Sequence, residues 1–105
     1  MPAEVILRED RKLSVEGSIT IDNVVSVAAR GAALLDRDSL VIDLTRVTEV
    51  DSSAVSLLLE WRRAAARHNR QIRFANLPQN LQSLVRLYGV SELMNLETED
   101  KTVTV

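Results

Sequence analysis

"VIDLTRVTEVDSSAVSLLLEW", residues 41–61, decides how this chain folds. Its opening belongs to "LVIDL" from residue 40, a short and nearly all-apolar run. That composition suits a strand covered on both faces. Further on, Val55, Leu58, Leu59, Arg62 and Ala66 follow the i, i+3, i+4 rhythm of a helix with one buried stripe. That helix is expected to reach about His68, with Glu60, Arg63 and Arg67 on its wetter faces. Asp51, Ser52 and Ser53 occupy the junction between strand and helix. Ser52 or Ser53 is the expected N-cap, a role that contributes about 1 kcal/mol.

The same patterns extend in both directions. Upstream, Val5, Ile6 and Leu7 read as a short strand and "KLSVEGSIT" as a second. In the second, Leu13, Val15, Ile19 and Ile21 alternate with polar residues, as in a half-buried strand. The polar "REDRK" between the two strands makes them a hairpin. Asp22 is placed to cap a helix from about Asn23 to Leu35, with Val24, Val27, Ala28, Ala32 and Leu35 as its apolar stripe. "DRDS" then breaks the pattern. Downstream, "HNRQ" closes the central helix and "IRFANL" is a strand with Ile72, Phe74 and Asn76 on one side. Pro78 suits a first helical turn, and "QNLQSLVRLYG" reads as a helix that Gly89 stops from the C′ position. "VSELM" adds a turn of helix, and residues 95–105 are expected to be a tail or an edge strand. The order β-β-α-β-α-β-α predicts one α/β domain over residues 1–105. Its mixed sheet should hold four to five strands, with helices packed mainly on one side and right-handed crossovers.

Composition narrows the function. A chain of 105 residues forms one domain with a modest core. Trp61, Phe74 and Tyr88 are its only aromatic residues, so that core is aliphatic. Trp61 is expected at the edge of the buried stripe, with a core role favoured over an interface hot spot, and Tyr88 in the core with its hydroxyl at the rim. The net charge of -2 gives no global basic field for nucleic acid or an anionic membrane. No cysteine is present, so disulfides, thiolate nucleophiles and zinc-thiolate sites drop out together. No apolar run approaches the roughly 18 residues that a membrane span needs. The first ten residues lack the pattern of a secretion signal. The expectation is a cytosolic or peripheral protein.

Catalysis finds little support. The only histidine, His68, is predicted at the far end of the helix that Ser52 begins, about 24 Å away along 16 residues. A serine nucleophile would therefore lack a base within the monomer. Asp43 falls inside the buried-looking strand, where a turn or capping hydrogen bond is its expected role. The single histidine and scattered acids supply no metal cluster, and the three glycines are too far apart for a phosphate loop. Arg62, Arg63, Arg67, Arg70 and Arg73 concentrate positive charge and read first as a solvated face. An acidic partner surface or lipid head groups are the sharper alternatives for them. By contrast, the turn at residues 51–53 leaves a sheet at a strand's carboxyl end, where loops commonly carry function. The helix N-terminus beside it favours acceptor oxygens and tolerates added phosphate. On local chemistry the cap is favoured over a regulatory serine, and a small anion or lipid is a third possible occupant.

"VIDLTRVTEVDSSAVSLLLEW" resembles the signature of STAS domains, in which a buried strand runs into an Asp-Ser/Thr-x-Gly turn and a helix. "FANLPQNLQSLVRLYGVSELM" is similar to the late helix of the MlaB-like STAS subunits of Mla phospholipid-transport ABC complexes. The likeness is clearest from about Leu40 to Met94. It implies a non-enzymatic, cofactor-free interaction subunit that is cytoplasmic, joined to the inner membrane through its partners, and bound to the transporter's ATPase. The implied partner surface is Asp51, Ser52, Ser53, Ser56 and Glu60, presenting polar side chains and free N–H groups. The family's other branch implies an anti-sigma-factor antagonist, met by an anti-sigma factor or serine kinase and switched by phosphorylation of Ser52. This chain has Ala54 where the family usually has Gly. The expectation is that alanine hinders a kinase at the turn while leaving a docking role intact.

Overall fold

Leu13, Ile42 and Phe74 stand abreast on three neighbouring strands, and all three are fully buried. The row belongs to a computed structural model that describes residues 3–9, 11–35, 40–90 and 96–97. The elements are β1 (Glu4–Arg8), β2 (Lys12–Ile19), α1 (Val24–Leu35), β3 (Leu40–Asp43), β4 (Val47–Val50), α2 (Ser52–Arg67), β5 (Ile72–Ala75), α3 (Gln79–Leu87) and β6 (Leu96–Glu97). Strands β1, β2, β3, β5 and β6 follow one another across the sheet. β1 pairs antiparallel with β2 as the predicted hairpin, and the other neighbours run parallel. The sheet is mixed, as expected, with a five-strand main path. Part of the expected tail or edge strand is β6; residues 91–95 and 98–105, including most of "VSELM", lie outside the described residues.

Side-chain alternation assigns the two faces. Leu40, Ile42 and Leu44 are buried, whereas Val41 and Asp43 are half-buried. The row Lys12, Val41, Arg73 therefore looks outward from the other face, with Lys12 and Arg73 exposed. The "LVIDL" strand is covered fully on one face only, because the helices gather on that side.

The sequence pattern missed β4. β2 is eight residues long, and its first half pairs with β3 while its second half pairs in parallel with β4. The change of partner falls at Gly17, whose φ of 95° places it in the region that glycine enters without steric cost. The Gly17 N–H donates to the Arg46 carbonyl at 3.0 Å. A turn at Asp43 lets the chain leave β3: the Asp43 carboxylate accepts from the Thr45 N–H (3.0 Å), the Thr45 hydroxyl (2.6 Å) and the Asn76 amide (3.1 Å). This is the turn role expected of Asp43. Partial burial opposes ionisation of Asp43, yet the Thr45 and Asn76 bonds outweigh it and hold its carboxyl below the ordinary value.

Trp61 sets the helix layer. Its side chain is fully buried, and its Nε1–H donates to the Ala28 carbonyl at 3.1 Å. The ring lies over Gly31 of α1. The buried arc of α2 accordingly runs through Ala54, Val55, Leu57, Leu58, Trp61, Ala64 and Ala65. Arg62 and Ala66, expected in the stripe, are exposed, because α1 packs against the Trp61 side. Ala32 is exposed too. At the chain's other helix, Pro78 takes the N-cap position at φ -61° and Gly89 follows the end at φ 69°, as their residue types imply. Tyr88 is 52% exposed rather than core, because it sits past the last turn of α3 at the C-cap.

Gly31 gives a test of this packing. A Cβ there would land on the Trp61 ring carbons Cζ2 and Cε2. Glycine to alanine in a helix normally stabilises by about 1 kcal/mol. Gly31→Ala should instead destabilise by about 1–3 kcal/mol in urea unfolding, as overpacked cores do. Trp61→Leu in the same chain should remove most of that penalty.

Candidate functional site

The candidate site is the corner where β4 passes into α2. Asp51 is extended at φ -130° and caps the helix: its Oδ1 accepts from the Ser53 N–H at 2.8 Å. The other oxygen, Oδ2, accepts from the Ile21 N–H at 3.0 Å, in the turn that leads into α1. The Asp51 N–H in turn donates to the Ile19 carbonyl at 3.4 Å. One residue thus fastens the start of α2 to the end of β2. The cap expected of Ser52 or Ser53 belongs to Asp51, whose carboxylate offers two acceptors where a hydroxyl offers one oxygen. Asp22 is likewise not the organiser of the α1 turn. Asn23 accepts from the Thr20 N–H at 3.1 Å and donates to the Ser18 carbonyl at 2.8 Å.

The Asp51 carboxyl is held below its ordinary value, chiefly by the Ile21 N–H; partial burial opposes this, and the Ser53 bonds reinforce it. The helix therefore begins on a fixed negative charge, at the end where the dipole favours one.

This capping changes what the corner offers a visitor. The Ser53 N–H goes to the Asp51 carboxylate, and the Ala54 N–H donates to the Asp51 carbonyl at 2.9 Å. Two of the N–H groups expected to face a partner are thus already satisfied. Ser52 is exposed, and its hydroxyl has no hydrogen-bond partner among the described residues. Ser53 is half-buried. Ser56, one turn along, is exposed. Glu60 continues this side but is half-buried and bound to its own helix, to Arg63 at 2.8 Å and Arg67 at 3.6 Å. Ala54 is fully buried, so its methyl group is not part of the exposed corner.

His68 lies at the C-cap of α2, at the opposite end from Ser52. Among the described residues no three His, Cys, Asp or Glu side chains gather as a metal site, and no helix is long and apolar enough to cross a membrane.

Two surface residues escaped the sequence pattern. Ile21, whose N–H is bound by Asp51, is 71% exposed, and Val25 in the first turn of α1 is 81% exposed. Alternation had counted Ile21 with β2, but the strand ends at Ile19 and Thr20 begins the turn. The available signal was the composition of α1, "VVSVAARGAALL", which has more apolar residues than one buried face can use.

A family model described as "Mlab, STAS domain" matches residues 3–97. No curated protein sequence matches the chain. Among solved structures, a chain of the Acinetobacter MlaFEDB complex in an ATP-bound conformation is similar at TM-score 0.77 and 21% identity, covering 90% of this chain and 99% of that one. An anti-sigma factor antagonist from Mycobacterium paratuberculosis is similar at TM-score 0.75 and 19% identity, covering 94% and 87%. The Bacillus cell fate determinant SpoIIAA in its phosphorylated form is similar at TM-score 0.65 and 15% identity, covering 96% of both chains.

The cap makes stability depend on acid. Because the folded Asp51 carboxyl titrates below its ordinary value of 3.8, its contribution is fully present above that pH and is lost as the pH falls through the lowered value. Asp51→Ala should cost about 1–2 kcal/mol at neutral pH, in the range of lost caps. The difference from wild type should shrink below the ordinary value, as followed by urea midpoints across an acid series. Asp51→Asn, which keeps an acceptor oxygen, should lose less than alanine.

Proposed function

The chain belongs to the MlaB-type STAS domain family, and on that premise we propose that it is a non-enzymatic interaction subunit. In this reading it is the cytosolic STAS component of an Mla-type phospholipid-transport ABC transporter, and it binds and supports the ATPase subunit. The observation that carries the reading is Ser52: an exposed hydroxyl without a partner among the described residues, on a corner that Asp51 holds from two sides. A rigid corner loses little conformational freedom when it docks, so contact energy is retained as affinity. Ser53 and Ser56 extend the contact beside Ser52, Asp51 shapes it from within, and Glu60 marks its far border. A stable contact of this kind covers on the order of 800 Å² per partner. Docking through the ATPase would hold the subunit at the inner membrane without a span of its own.

The second reading is an anti-sigma-factor antagonist switched at Ser52. Its support is the exposure of Ser52, whose hydroxyl is open to solvent beside the capped start of α2. A phosphate on Ser52 would stand next to the ionised Asp51, and that like-charge pair would repel a partner docked there.

Two measurements separate the readings. Ser52→Arg should abolish binding to the ATPase subunit of the same organism's transporter in a titration, while changing stability by less than about 0.5 kcal/mol, as a surface substitution does. Unchanged affinity would remove Ser52 from the contact. Incubation with a serine kinase and ATP, followed by intact mass, should leave the chain unmodified; phosphate on Ser52 would favour the antagonist.

A further inference from the structure

We propose that Ile21 and Val25 are the apolar anchor of this docking surface, and that the partner face they enter is an apolar pocket rimmed by Lys and Arg. The inference rests on the docking reading and specifies the partner's chemistry. Both side chains are large, apolar and mostly exposed. The Val24 N–H donates to the Thr20 carbonyl at 2.9 Å and the Val27 N–H to the Asn23 carbonyl at 3.1 Å, so the turn already has helical spacing. Ile21 therefore lies about one turn from Val25, on the same side. Ala29 and Ala32 continue that side along α1, and both are exposed.

These anchors are not on a loose loop. The Ile21 N–H is bound by Asp51, and the turn around it is closed by Asn23. The same carboxylate caps α2, so Ile21 and Ser52 are positioned by one residue. An exposed apolar pair fixed against an open hydroxyl has the make-up of an interface centre with a polar margin.

Charge identifies the occupant. The two segments that build the surface, residues 18–26 and 47–56, carry Asp22, Glu49 and Asp51 and no Lys or Arg. Asp22 and Glu49 are exposed. The arginines of α2 stand farther along the helix, where Glu60 holds Arg63 and Arg67. An anionic head group or free phosphate meets like charge at this face. A second copy docking symmetrically would bring the same carboxylates toward one another. A protein face with basic residues around an apolar pocket satisfies both features.

The test titrates the transporter's ATPase subunit with wild type, Ser52→Arg, the double variant Ile21→Ser/Val25→Ser, Asp22→Lys and Glu49→Lys, at low and high salt. Thermal melting serves as the fold control, since all five substituted side chains are exposed. The double variant should raise Kd at least tenfold. The two lysine variants should slow association and flatten its salt dependence. Wild-type affinity in the double variant, with Ser52→Arg inactive, would overturn the anchor and leave docking standing. A wild type that fails to bind the ATPase would overturn both. Dimerisation of the chain lost in the double variant, or binding through this face to phosphatidylglycerol vesicles, would overturn the choice of partner.

Discussion

The Asp51 carboxylate is the constraint on which the corner depends. One oxygen holds the Ser53 N–H at the start of α2, and the other holds the Ile21 N–H before α1. The start of α2 is thus tied to the turn that leads into α1. Because both bonds favour the ionised carboxylate, the anchor is strongest at neutral pH. It also divides the labour within the acid-hydroxyl patch. Asp51 holds the geometry, and the exposed Ser52 hydroxyl has no hydrogen-bond partner among the described residues.

The geometry reaches Asp51 through β2. Gly17 lets β2 exchange β3 for β4, and the Asp43 turn delivers β4 to that second partner. The extra strand carries the chain to the level of Ile19, within reach of the Asp51 N–H. Beneath this, Trp61 and Gly31 set how closely α1 and α2 lie. A bulkier residue at 31 would press on the Trp61 ring and so on the packing of α1 against α2. Core packing and surface presentation are therefore parts of one arrangement.

The helix α2 has two electrostatic characters. It starts at an acidic, hydroxyl-bearing corner and ends among Arg62, Arg63 and Arg67. Glu60 stands between the two halves and ties its basic neighbours down. The molecule is thus near neutral as a whole and strongly polarised along one element. Net charge alone concealed this, since -2 is a sum over both ends.

Much of the fold could be read from local pattern. Period-2 and period-3.6 spacing placed three helices and most strands, Gly89 ended α3, and the lone tryptophan belonged to the core. The junction at residues 51–53 was legible as a candidate site, because an acid and two serines stand where a strand gives way to an apolar helix. Local pattern could not tell which of the three caps, since that depends on Ile21, thirty residues away in sequence. Nor could it find β4, whose pairing exists only once β2 bends at Gly17, or show Ile21, Tyr88 and Arg62 to be exposed. Sequence by itself determined the elements, because backbone propensity and hydrophobic period act within a few residues. Only the tertiary structure decided which side chains are consumed in holding the corner and which remain open, because a hydrogen bond or a buried contact is settled by what the rest of the chain brings alongside.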